Sequence, residues 1–217
     1  MSIESEFLVT MDSNLLKFIK DSPQIIDKET FEKSAKEAGI PIVFLDDGGS
    51  RFIYEVVGQD LVLKVARWSG GRFQNKNEAH PAFRKFKTLF NIPIAWNDYN
   101  SVALYTKLKP FDEKSFDTTL PLVFGIRGQD LCNLCYTIQD EPEKAQYIHL
   151  LDKMTEEGKI ILNTLLSIHH TGVPELSIKE LPADYLKPCS YGLTSDGSIR
   201  IIDFGLTQEY FTLPFEK

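Results

Sequence analysis

The sequence has little cysteine, no long apolar run and no excess of basic charge. Three cysteines in 217 residues cannot frame a disulfide-stabilised fold, so a reducing compartment is expected. No apolar stretch reaches the about 20 residues that a membrane-spanning helix needs, so no membrane segment is expected. The opening MSIESEFLVT has neither a basic start nor an apolar core, and is not read as a secretory signal. A net charge of −7 forces no face to be basic, which argues against nucleic-acid binding. It leaves room for a nucleotide site, which needs only a few local cations. The protein is expected to be soluble and cytoplasmic. What is present is ordinary for a globular chain: 42% hydrophobic and 25% charged residues, enough for one large domain or two small lobes.

Residues 1–40 read as a helical preface. Asn14 to Lys20 is short, amphipathic and broken by Ser22-Pro23. A second helix is expected from about Glu29 to Ala38, with Phe31 and Ala35 on one face and Gly39 just past its end. No phosphate chemistry is visible here, and packing on the lobes or contact with another chain is the expected role. From Pro41 the texture changes to strands: Ile42–Leu45, Phe52–Val57 and Leu61–Ala66, separated by the turns Asp46–Ser50 and Gly58–Asp60. In the third strand Leu61, Leu63 and Val65 share one face, and Val62, Lys64 and Ala66 the other. Lys64 therefore sits among apolar neighbours, a costly place for an ammonium without a partner. A helix over about 74–90, after a Ser69-Gly70-Gly71 loop and interrupted by Pro81, supplies Glu78 as that partner.

Ile92–Trp96 and Val102–Tyr105 read as a further hairpin, and Lys107–Phe111 as a connector stiffened by Pro110. Helical segments near 112–124, 128–138 and 142–170 follow. The chain then offers YGLTSDGSIRIIDFGL, Tyr191 to Leu206, in which turn chemistry at Ser195–Ser198 joins two short strands. Asp203 stands at the end of the second, followed by Gly205. A carboxylate there, with glycine freeing the backbone beside it, is suited to hold Mg²⁺; an ordinary surface aspartate is the plainer reading of the hairpin alone.

Taken together, V-L-K-V-A with Lys64, Q-N-K-N-E with Glu78, Asp184, and D-F-G with Asp203 resemble the protein-kinase-like superfamily over roughly 41–207. The resemblance implies an α+β, two-lobed fold: an antiparallel-sheet lobe at 41–106 and a truncated helical lobe at 107–217, behind the 1–40 extension. It implies ATP and Mg²⁺ as cofactors, bound between the lobes. Lys64 would grip the phosphates, Glu78 would hold Lys64, and Asp203 would bind the metal. Asp184 would be the base for an acceptor hydroxyl, and Gly48, Gly49, Ser50 and Arg51 would form the phosphate-side turn. More narrowly, Gly49, Ser50, Arg51 and Tyr54, the pair Gln74-Asn75, and Tyr191-Gly192 are similar to short kinase-like proteins of tailed phages.

The departures from the family pattern are equally specific. Of the three positions that a full glycine-rich loop would fill, Asp46, Gly48 and Arg51, one is glycine. Aspartate would repel phosphate; Arg51 would either contact a phosphate or lie in solvent. His-Arg-Asp becomes Pro182-Ala183-Asp184, and the family's metal-binding asparagine falls at Cys189, with Ser190 one residue later as the alternative metal ligand. A one-residue shift would put Tyr185 at the catalytic position and leave no base. Only Leu206–Lys217 follow Gly205, too short for a protein kinase's peptide platform, so any acceptor would be held differently. Two functions follow: an ATP-dependent phosphotransferase with an unknown acceptor, or an inactive pseudokinase serving as a structural or interaction module, in a phage particle or against a host protein.

Other candidates read as structure. Cys132 and Cys135 form a lone C-x-x-C in an apolar stretch, more suited to buried thiols than to zinc. Cys189 has no flanking charge to activate it. His169-His170 suit a helix C-terminus. Trp68 and Trp96 are expected as packing groups, and Glu141, Glu143, Glu156 and Glu157 as a solvated face.

Overall fold

A computed structural model describes residues 12–24, 27–111, 118, 120–127, 130, 150–156, 158–160 and 190–204. These divide between two compact units, one within 1–83 and 92–107, the other within 84–91 and 108–212.

The first unit is built on a five-stranded antiparallel sheet. Its strands are β1 (Ile42–Asp47), β2 (Arg51–Val56), β3 (Leu61–Ala66), β4 (Ala95–Trp96) and β5 (Val102–Thr106), in the order β1-β2-β3-β5-β4. The register pairs Tyr54 with Leu63 and Leu63 with Leu104, so one face is almost wholly apolar. Two helices cover that face, α1 (Ser13–Asp21) and α2 (Lys28–Glu37). Leu15 and Ile19 of α1, and Phe31 and Ala35 of α2, each lie one turn apart. They close a single core with Phe52, Tyr54, Val56, Leu61, Leu63, Val65, Val102 and Leu104. Phe31 lies between Phe18 and Tyr54, tilted against both, at centroid distances of 5.4 and 5.2 Å. The described part of the 1–40 preface is thus packed on its own sheet. Asp12 and Asp27 cap the two helices, accepting from the amides of Asn14 and Thr30, each at 2.8 Å. Gly39 stops α2 with φ +71°, the left-handed conformation of a helix C-terminal glycine.

Helix α3 (Ser69–Glu78) belongs to the same unit. The expected Ser69-Gly70-Gly71 loop is instead its first turn, and the helix stops at Glu78 rather than running to 90. Pro81 opens a separate 3₁₀ turn, Pro81–Phe86. The two glycines are needed for close approach. A Cβ on Gly70 would lie 2.3 Å from the Trp68 ring, and one on Gly71 would lie 2.3 Å from the Ser50 carbonyl oxygen. A β-bulge between Phe44 and Asp46 leaves Leu45 without a partner across β2.

The second unit contains a three-stranded antiparallel sheet of β6 (Lys109–Pro110), β7 (Tyr191–Leu193) and β8 (Ile199–Ile201), in that order. The expected connector 107–111 therefore includes a short edge strand that pairs with the 191–206 hairpin. Gly197, at φ +85°, makes the tight turn between β7 and β8. Phe90 meets Phe204 at 4.6 Å, and the amide of Asn91 donates to the Ile201 carbonyl at 2.9 Å. Helix α4 (Leu120–Phe124) falls in the expected helical block, of which residues 118, 125–127, 130, 150–156 and 158–160 are also described. Cys132, Cys135, His169, His170, Asp184, Cys189 and Gly205 lie outside the described residues. Among the described residues no helix is long and apolar enough to cross a membrane. The α+β class expected from the sequence is the class observed.

Candidate functional site

The sheet face opposite the α1–α2 core carries the polar chemistry. Ile53 of β2 pairs with Lys64 of β3, and Lys64 with Ala103 of β5. Arg51, Lys64 and Tyr105 consequently project to the same side of three adjacent strands. Helix α3 lies on that side and brings Glu78, its last residue, into their midst. Lys64 Nζ is 3.2 Å from Glu78 Oε2, and Tyr105 Oη donates to the same oxygen at 2.6 Å. Arg51 Nη2 is 3.0 Å from the other oxygen, Oε1. All are buried: Glu78 is 0% exposed, Arg51 4% and Lys64 7%.

Burial pushes the Glu78 carboxyl up. The positive charges of Arg51 and Lys64, with hydrogen bonds from Arg51 and Tyr105, outweigh it and bring the group down to about 2. Glu78 is therefore ionised at neutral pH, although no part of it meets water. One turn earlier on α3, Asn75 completes the cluster. Its Oδ1 accepts from Arg51 Nη1 at 3.1 Å, and its Nδ2 donates to the carbonyls of Lys64 at 3.3 Å and Asn100 at 2.9 Å. The ammonium of Lys64 also lies 4.5 Å from the centre of the Tyr105 ring.

The turn from Asp47 to Arg51 is tied to α3 and to the residues that lead into it. Ser50 Oγ is buried and donates to Gln74 Oε1. The Gly48 carbonyl accepts from Arg67 Nη1 at 3.1 Å, and the Gly49 carbonyl from Trp68 Nε1 at 3.3 Å. Arg67 also pairs with Asp47, and its amide donates to the Ser50 carbonyl at 2.9 Å. Of the two fates that the sequence leaves open for Arg51, solvent exposure is excluded by its burial against Glu78 and Asn75. Asp46 is exposed and pairs with Ile53, so it stands on the Lys64 side of the sheet.

In the second unit two further candidates, Ser190 and Asp203, lie at the open end of the β7–β8 hairpin. Tyr191 pairs with Ile201, and the Ile202 amide donates to the Ser190 carbonyl at 2.8 Å. Ser190 is therefore across the hairpin from Ile202, the residue before Asp203. Ser190 is buried and Asp203 half-buried. Strand β8 ends at Ile201, so Asp203 lies two residues past the strand rather than on its last rung.

Tyr105 was not singled out in the sequence, although a signal existed. In Val102-Ala103-Leu104-Tyr105 the alternation that buries Val102 and Leu104 puts Tyr105 on the Lys64 face.

No protein-family model and no curated protein matches the sequence. Solved structures do resemble it at low identity. Choline kinase LicA from Streptococcus pneumoniae is 9% identical, with 82% of this chain and 68% of that one covered at a TM-score of 0.42. The streptomycin–ATP–APH(2")-IIa ternary complex is 14% identical, with 83% and 72% covered at 0.38. The ADP-bound aminoglycoside phosphotransferase APH(2'')-Ib is 17% identical, with 83% and 71% covered at 0.37. The scores are low, so the functional reading rests on the geometry of the site.

Proposed function

We propose that this chain is a kinase-like protein that binds ATP–Mg²⁺ and transfers phosphate to an acceptor hydroxyl. The observation that carries the reading is the Lys64–Glu78 ion pair, 3.2 Å long and buried on the polar face of the sheet. A cation fixed at one point by a buried carboxylate is what a nucleotide phosphate needs from a protein. In this reading Lys64 contacts the phosphates and Glu78 orients Lys64. Gly48 and Gly49 supply backbone beside the phosphates, with Ser50 and Arg51 bracing that turn.

Asp203 would hold the Mg²⁺, with Ser190 as a second oxygen donor. Among the described residues no group of three or more His, Cys, Asp or Glu side chains comes together. Mg²⁺ keeps water and phosphate oxygens as most of its ligands and takes one or two carboxylates from the protein. The bound ion supplies charge neutralisation on the phosphates. Asp184 would accept the proton of the acceptor hydroxyl as that oxygen takes the γ-phosphoryl group from ATP, leaving ADP.

A second reading is favoured by one observation. The Ser50 hydroxyl and the Arg51 guanidinium are both engaged inside the protein, at Gln74, Asn75 and Glu78. A phosphate-side turn so occupied suits a pseudokinase used as a structural or interaction module, the role that the phage-like motifs imply. Thermal melting with and without millimolar ATP and Mg²⁺, repeated on Lys64→Ala and Asp203→Ala, separates the two. Native-state binding raises the melting temperature, by about 2.7 kcal/mol of stabilisation at a hundredfold excess over Kd. A shift in the parent that both variants lose supports the nucleotide site on which the enzyme reading depends; no shift in the parent leaves the module.

A further inference from the structure

We infer that Arg51 is the positioning residue of this site: it fixes Glu78, and so leaves Lys64 as the cation that can exchange its carboxylate contact for a ligand oxygen. The second half rests on the reading of Lys64 as a phosphate-binding group; the first half does not.

The geometry divides Glu78 between its two cations. Arg51 holds Oε1 at 3.0 Å, and Lys64 and Tyr105 share Oε2 at 3.2 and 2.6 Å. The guanidinium is anchored a second time, at Asn75 Oδ1, one turn earlier on the same helix. A planar guanidinium with two fixed contacts on one helix is a rigid brace; an ammonium on a four-carbon stem is a movable point charge. The strand placement agrees. Arg51 opens β2, directly after the turn that Gln74, Arg67 and Trp68 tie down, so its backbone is held from both sides.

This arrangement answers a difficulty that a single Lys–Glu pair would face. If Lys64 left Glu78 for a phosphate, a fully buried carboxylate would lose its charge partner. With Arg51 and Tyr105 in place, each oxygen of Glu78 keeps a hydrogen-bond donor when Lys64 moves. Consistent with this, the Glu78 carboxyl is lowered by the charges of both Arg51 and Lys64 and by hydrogen bonds from Arg51 and Tyr105.

The test is a pH titration of the Glu78 side-chain carboxyl by ¹³C NMR in the full chain, in Arg51→Gln and in Lys64→Gln. These groups face Glu78, together with the neutral Tyr105 and Asn75. The expected result is a Glu78 titration that rises by about two pH units or more in Arg51→Gln and by less than about one in Lys64→Gln. Equal shifts, or the larger shift in Lys64→Gln, would overturn the assignment. If Arg51→Gln does not fold, Lys64→Gln decides alone. A Glu78 that stays well below the ordinary glutamate range supports Arg51 as the brace, and one that returns to that range overturns it. ATP–Mg²⁺ binding is measured on the same samples. Absence of binding in the parent removes the nucleotide reading, while the carboxyl titration still decides the role of Arg51.

Discussion

Arg51 and Glu78, both buried, meet at 3.0 Å between the first residue of β2 and the last residue of α3. This contact, with Lys64 at 3.2 Å on the other oxygen, fastens helix to sheet through charge rather than through apolar packing. A buried pair contributes little net stability over an apolar substitute, but breaking one side of it is costly because a charge stays behind. Glu78→Ala is therefore expected to lower the urea unfolding free energy by on the order of 3–5 kcal/mol. A loss below about 1 kcal/mol, the range of an exposed salt bridge, would show that the cluster does not hold α3 in place.

The same carboxyl sets an acid limit. Its folded-state value, about 2, lies below the ordinary 4.5, so the unfolded chain binds the proton more readily. Glu78 thus contributes stability that is complete above about 4.5 and is lost as pH falls towards 2. Melting temperatures recorded across that window should fall steeply for the parent and less steeply for Glu78→Gln. Equal slopes would place the acid sensitivity elsewhere.

Much of this was legible in the sequence, because the strand period decides sides. The alternation in Leu61–Ala66 separates an apolar face from Lys64, and the register confirms that separation across β2 and β5. The Gly39 stop is local chemistry and was readable as such, whereas the caps at Asp12 and Asp27 emerge from the structure. What was not legible came from contacts distant in sequence. Ser69-Gly70-Gly71 has the composition of a loop, yet tertiary packing against Ser50 and Trp68 makes it a helix start. Arg51 occupies a position that suggests either phosphate or solvent. Only the juxtaposition of β2 with α3, 24 and 27 residues further on, turns it inward to Asn75 and Glu78. The pairing of Lys109–Pro110 with β7 was hidden for a similar reason, since a two-residue strand carries no period.

Gly71 gives a sharp test of how α3 begins. A methyl group there would lie 2.3 Å from the Ser50 carbonyl oxygen and 2.9 Å from the Ala66 backbone, neither of which is a flexible side-chain end. Gly71→Ala would ordinarily favour a helix by about 1 kcal/mol. Here the clash should win, with a net destabilisation of about 1–3 kcal/mol, read from chemical denaturation. A stabilised variant would mean that the helix start can move away from the β2 turn at little cost.

Asn97 controls the other face of the sheet. It is buried in the turn between β4 and β5, and its Nδ2 donates to the Ser22 carbonyl at 2.9 Å and to Ser101 Oγ at 2.8 Å. Its Oδ1 accepts from the amides of Ser101 at 2.9 Å and Val102 at 3.3 Å, and Ser101 Oγ in turn donates to the Pro23 carbonyl at 2.6 Å. The end of α1 is therefore bound to the sheet by one side chain and its immediate neighbour, in addition to the apolar contacts of Leu15 and Ile19. Asn97→Ala removes both amide groups at once and leaves the buried Ser22 carbonyl without that donor, a loss of about 1–3 kcal/mol. Because the apolar contacts of α2 do not depend on Asn97, the effect should be local. Hydrogen exchange is expected to accelerate across α1 while the amides of β2 and β3 keep their protection. Uniform acceleration through the sheet would instead mean that α1 and the sheet open together, as one cooperative unit.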